Sequence, residues 1–260
     1  MPISKNGVPI LTIEDWETCA GPNGPDHWSD GRSAMEAARA WLGDAVELPK
    51  ELKTALKHHD AFGKPTWTAE PRVELPFDGS AAGPFDLVVE AVDEHGAFLI
   101  VVDARSDEAF GDTLGDTLAA AAEALLDDPG SDDLQRVASL LATVFGPRRD
   151  DDPPLKDIRH QLLTATAACV VEAGRRGRPR VLLLIHEFVT DRTVERKLLP
   201  NAIDLGRFVK RLSHGVFKGV NPGDIVGPIH LPGAPRASTP DESPVDFYLG
   251  KISRNLRSRR

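Results

Sequence analysis

Cysteine is scarce: Cys19 and Cys169 are the only two in 260 residues, far apart and without C-x-x-C spacing. That excludes a disulfide framework or a zinc knuckle and fits a reducing compartment. Long apolar runs are missing too. Blocks such as "VLLLI" (181–185) fall far short of the roughly 18 residues a membrane span requires. "MPISKNGVPI" lacks a basic stretch followed by an apolar one. The expectation is a soluble, cytoplasmic protein that meets no membrane.

Positive charge is in deficit, with 31 Lys and Arg against 40 Asp and Glu, a net charge of −9. A non-specific polyanion binder, whose affinity comes from neutralising phosphates over its whole surface, is therefore disfavoured. Local clusters remain at "GRRGRPR" (174–180), "GRFVKR" (206–211) and "SRNLRSRR" (253–260). They would either join into a cationic strip or stand as solvated faces and a frayed tail. Familiar catalytic signatures are absent. "GRSAM" ends on Met35 rather than the glycine of a nucleophile elbow, and no G-x-x-x-x-G-K-[ST] loop occurs. His186-Glu187 has Thr190 where the zinc motif H-E-x-x-H needs a second histidine.

The hydrophobic fraction of 41% supplies one large core, so one elaborated domain is expected. Ala34, Ala37, Ala38, Trp41 and Leu42 form a helical stripe, with Ser33 and Glu36 spaced as a capping box. "AEPRVELPF" (69–77) reads as a strand. "FDLVVEAV" and "FLIVVDAR" flank "DEHG" (93–96) as an antiparallel hairpin. Helices are expected around 116–126 and 132–145, and a long one over 155–174 that Gly174 ends. "PRVLLLIHEFV" (179–189) is apolar on both faces, so it belongs in the middle of the sheet. Beyond it a helix (199–212) and a short strand within 223–235 precede fraying terminal residues. The order predicts an α/β fold, a mixed central β-sheet flanked by helices.

The hairpin carries the chemistry. If 93–96 is its loop, Val92 pairs with Ala97 and Asp86 falls opposite Asp103. Side chains alternate along a strand, so Asp103, Arg105 and Asp86 share one face. Two adjacent carboxylates repel unless a cation lies between them, and hard oxygen ligands suit Mg²⁺, which would activate water and stabilise charge on a phosphoryl group.

A helix, then a hairpin with Asp on its first strand and Asp-x-basic at the end of its second, then a helix and a strand, resembles the PD-(D/E)XK nuclease-like superfamily. "HWSDGRSAMEAARAW", "DARSDEAFG" and "RHQLLTATAACVVEAG" resemble an uncharacterised bacterial family of that fold with "VEGK-x-x-E-x-FG" and "RYQLLH" motifs, over roughly residues 20–190. The resemblance implies a nuclease-like domain over 1–190, with 191–260 a helix and strand extension and basic tail packed on the same domain. It implies that Asp86, Asp103 and the Ala104 carbonyl hold Mg²⁺ or Mn²⁺, with Glu36 a further candidate ligand. Arg105 then binds the scissile phosphate of DNA in the lysine's place, Gln161 positions phosphate or water, and Arg159 is a second substrate contact.

This chain departs from the pattern in two places. Asp103-Ala104-Arg105 stands for Glu-Gly-Lys, and Gly83-Pro84-Phe85 for a Ser-Gln pair before the first acid. Arginine keeps the charge but its pKa above 12 makes it useless as a base. Aspartate shortens the ligand by a methylene. Two expectations follow: a metal-dependent nuclease, or a catalytically inactive descendant serving as a binding or assembly subunit of a homo-oligomer or larger complex. The plainest alternative is a salt-bridge cluster at strand ends. Glu36 has a sufficient task in the capping box, and Gln161 in a helix surface. His27 and Trp28 are expected to pin the entry loop, the tryptophan buried with its N–H bonded, and His58-His59 to be solvated.

Overall fold

The computed structural model describes residues 3–21, 28–43, 47–77, 80–193, 195–234 and 244–257. In chain order the elements are β1 (Ser4–Lys5), β2 (Val8–Pro9), α1 (Ile13–Ala20), α2 (Ser33–Leu42) and α3 (Lys50–Lys57), then β3 (Thr66–Phe77), β4 (Ser80–Asp93) and β5 (Gly96–Arg105). The helices α4 (Leu114–Asp127), α5 (Asp133–Val144) and α6 (His160–Arg175) lead to β6 (Arg180–Val189), α7 (Glu195–Leu212), β7 (Ile225–Ile229) and β8 (Asp246–Asn255). Six strands form one mixed sheet in the order β3-β4-β5-β6-β8-β7. The β3-β4-β5 meander is antiparallel, β5, β6 and β8 run parallel, and β7 returns antiparallel on β8. The fold is α/β, its sheet flanked by helices on both faces.

Alternation along β5 and β6 divides the core. Leu99, Val101, Leu183 and Ile185 pack with α6 and α7, while Ile100, Val102, Leu182 and Leu184 pack with α2 and α3. Strands covered on both sides must be apolar throughout, and each fully buried Leu or Ile contributes about 1.5–3 kcal/mol. The hairpin register is the expected one, with Val92 opposite Ala97, and β6 is central.

Four local expectations are corrected. The capping box does not form: Arg32 is the N-cap of α2, and Ser33, one residue inside, donates to Glu108 instead. The helix expected from Leu155 begins at His160. Leu155–Asp157 is a 3-10 turn, and the amides of Leu114 and His160 bond to Ile158 and Asp112 across a short extended bridge. That pairing pulls residues 158–159 out of the helix while Ile158 stays fully buried. Residues 246–255 do not fray; they form β8, parallel to β6 along ten residues. Finally, His59 is half-buried, its Nδ1 accepting from the Ala61 amide and its ring edge-on to Tyr248, whereas His58 is exposed. Trp28 is partly buried against the α2 side of the core, and His27 lies outside the described residues.

Candidate functional site

The paired portion of the hairpin ends at Leu87 opposite Val102. One step further, Asp86 and Asp103 stand side by side, and Asp86 Oδ2 accepts the Ala104 N–H at 2.7 Å. The carboxylate takes a backbone donor at the point where regular pairing stops. Burial first, and the neighbouring Asp103 second, push the Asp86 carboxyl up to about 7, against the opposing pull of the Ala104 N–H and Arg105.

Asp103 is in a different state. Arg105, two residues along the same strand, donates Nε to Asp103 Oδ1 and a terminal nitrogen to Oδ2, both at 2.8 Å. Both residues are 7% exposed, so the fork is a buried, bidentate ion pair. Its remaining terminal nitrogen donates to the Ala109 carbonyl at 2.8 Å, and the guanidinium lies 4.9 Å from the centre of the Phe110 ring. Burial opposes the charge of Arg105, but Asp103 and its hydrogen bonds outweigh that cost and raise its pKa.

The "DARSDEAFG" segment is thus the cradle of this guanidinium. Glu108, given no role by sequence reasoning, accepts the amides of Ser106 and Asp107 and the hydroxyl of Ser33, tying the end of β5 to the start of α2. The Ser106 hydroxyl donates to the carbonyls of Gly31 and Phe188, closing the same corner.

The other expected residues stand around this centre in separate settings. Glu36 is buried, but its Oε1 accepts from the Gly31 amide and from Arg39. Arg159 donates to Asp204 at 2.7 Å and to the Gly111 carbonyl at 2.8 Å, joining the entry of α6 to α7. Gln161 is exposed in the first turn of α6, where a Cβ on Gly111 would come 3.7 Å from its Oε1.

Two residues were missed. In the strand register Arg105 neighbours Glu187, and Asp103 is in line with Ile185 and Lys251. Lys251 Nζ lies 2.9 Å from Glu187 Oε1, and both are almost wholly buried. Five charged side chains therefore form a row along one rim of the sheet. Lys251 was invisible as a partner because β8 itself was not foreseen.

As arranged, this row does not fit Mg²⁺ or Mn²⁺. A hard cation needs open carboxylate oxygens, and both oxygens of Asp103 are held by a guanidinium that already supplies the positive charge. Among the described residues no group of three or more His, Cys, Asp or Glu side chains is gathered as a metal would require. Cys169, behind Asp103 in α6, offers no nucleophile: burial, with Asp103 and Glu172 adding, pushes its thiol up.

A family model described as a domain of unknown function, DUF6946, matches residues 9–255. The chain belongs to the DUF6946 family. No curated protein and no solved structure matches it. The DUF6946 match runs to the last residue of β8, so the charged row from Asp86 to Lys251 lies wholly inside the family domain. No helix among the described residues is long and apolar enough to cross a membrane.

Proposed function

We propose that this chain is a PD-(D/E)XK-like protein that works by binding rather than by cleavage, as an assembly subunit in the cytoplasm. Support for the core comes from its connectivity: a helix, a three-stranded meander, a helical crossover and a strand parallel to the third. Support for the cytoplasm comes from two unpaired cysteines, one of them fully buried. The observation that carries the loss of catalysis is the Arg105–Asp103 fork. An arginine there cannot serve as a base, and it closes the carboxylate on which the metal reading depends.

The clustered arginines favour a partner other than DNA. Arg175 and Arg176 bond to Glu172, Arg176 and Arg178 to Glu90, Arg180 to Asp93, Arg211 to Asp152, and Arg254 to Glu51. Most of the positive charge that reads as a strip in the sequence is paired within the fold, while Arg207, 3.5 Å from Asp204, and Lys210 remain exposed on α7. The competing reading, hydrolysis of DNA with Mg²⁺ or Mn²⁺, keeps one observation in its favour, the juxtaposition of Asp86 and Asp103.

A cleavage assay on single- and double-stranded DNA with each metal separates the two, comparing wild type, Asp103→Ala and Arg105→Lys. The binding reading expects silence from wild type and no change of melting temperature with either metal, since a ligand that binds only the folded state would raise it. Cleavage by wild type that disappears in Asp103→Ala overturns it.

A further inference from the structure

Helix α7 turns an apolar stripe outward. Leu199 is 66% and Ile203 44% exposed, one turn apart, with exposed Ala202 between them and Gly206 beyond. The next positions on that stripe, Arg207 and Lys210, are exposed and basic. Helix α4 presents the opposite charge. Between Arg105 and Arg136 the chain has nine acidic and no basic residues. Leu126 in its last turn is 85% exposed, more than any other large apolar side chain among those described. Behind Leu126, exposed Ala119, Ala122 and Glu123 continue the same face, in an alanine run of which Ala121 alone is buried.

We propose that these two faces dock on each other between copies of the chain, α4 of one molecule on α7 of the next. Leu126 would seat against Leu199 and Ile203, where the small side chain of exposed Ala202 leaves room for a close helix approach. Glu123 and Asp127 would meet Lys210 and Arg207. Each copy carries both halves of the contact, and their charges are complementary where two copies of an anionic protein would otherwise repel. The contact joins different patches, so it is heterologous and propagates head to tail. Two helix faces bury less than a standard interface, so association is weak and is strongest at low salt. The proposal rests on the assembly reading and names a second copy as the partner.

Sedimentation velocity over a concentration series in low salt tests it. Wild type is expected to rise above the monomer mass of 28.2 kDa as concentration increases. Leu199→Glu with Ile203→Glu removes one face, and Leu126→Lys with Asp127→Lys removes the other. Each pair should weaken self-association at least ten-fold, with unchanged circular dichroism because every replaced side chain is exposed. Mixed together, the two variants each retain one intact face and should form a 1:1 pair that grows no further. Lys210→Glu alone, which leaves the apolar stripe untouched, should weaken association at low salt and reduce its salt dependence. A wild type that stays monomeric throughout, or oligomers that survive both double variants, overturn the docking proposal. So does failure of the two variants to recombine. None of these results bears on the cleavage assay, so the assembly reading and its proposed partner fail separately.

Discussion

Arg105 and Asp103, two positions apart on one strand, form a closed two-point fork with both contacts at 2.8 Å. Residues spaced i and i+2 on a strand point the same way but stand nearly 7 Å apart along it, so only a long, bent side chain can turn back to a short one. The guanidinium reaches, and its planar geometry matches the carboxylate.

Breaking the fork leaves a buried charge without its partner. Arg105→Ala or Asp103→Ala should each destabilise the fold by about 3–5 kcal/mol in urea denaturation. The double change to apolar residues, Asp103→Leu with Arg105→Met, should cost less than either single. A double variant at least as unstable as the singles would contradict this account of the pair.

The raised carboxyl of Asp86 gives stability a particular dependence on pH. Its ordinary value is 3.8 and the folded value about 7, so between those limits the folded state holds a proton that the unfolded state has released. Stability from this group therefore falls as pH rises from about 4 to 7. Asp86→Asn keeps an oxygen for the Ala104 amide and removes the ionisation. It should stabilise the protein at pH 8 by on the order of 2 kcal/mol, discounted for the partial exposure of the site, and should leave stability at pH 4 nearly unchanged. Parallel stability profiles for variant and wild type would refute the shift.

His186 acts in the opposite sense. It is fully buried between Trp41 and Phe188, and burial lowers its pKa, although Glu51 stands 3.6 Å away. The folded ring stays neutral while the unfolded ring takes up a proton, so stability is lost as pH falls below 6.5, by up to about 1.4 kcal/mol per unit. His186→Leu should flatten the profile just below pH 6.5. A slope identical to wild type there would exclude His186 as its source.

Gly250 lies where β8 passes between larger neighbours. A Cβ at this position would come 3.2 Å from Ile225 and Leu182 and 3.3 Å from Leu184. Gly250→Val should destabilise by about 1–3 kcal/mol through overpacking, measured as a lower denaturation midpoint with unchanged slope.

The central hairpin was legible because its strands are continuous apolar runs joined by turn residues, and that register alone set Asp86 beside Asp103. The state of the acids was not legible. The sequence shows Asp103 and Arg105 on one face but not that Arg105 bends back onto Asp103, since that depends on Phe110 and the Ala109 carbonyl holding the guanidinium from the other side. β8 was lost for another reason. Gly250 and Lys251 interrupt its apolar pattern, and both make sense only beside β6, one as clearance for Leu182 and Leu184, the other as the partner of Glu187. The state of the arginine clusters was only partly legible: Glu172 lies one turn from Arg175 and Arg176, but Glu90, Asp93, Asp152 and Glu51, which pair with the others, come from distant parts of the chain.

The position of β8 also sets an order in time. It is synthesised after every other strand, yet it lies inside the sheet, between β6 and β7. Until it emerges, one side of β6, nine of whose ten residues are buried, has no neighbour, and β7 has nothing to pair with. A nascent chain gains structure from its N-terminal end, but this sheet closes only from the other end. The growing polypeptide must keep an open, adhesive β6 edge protected from the time β6 emerges until Asp246–Asn255 follow it.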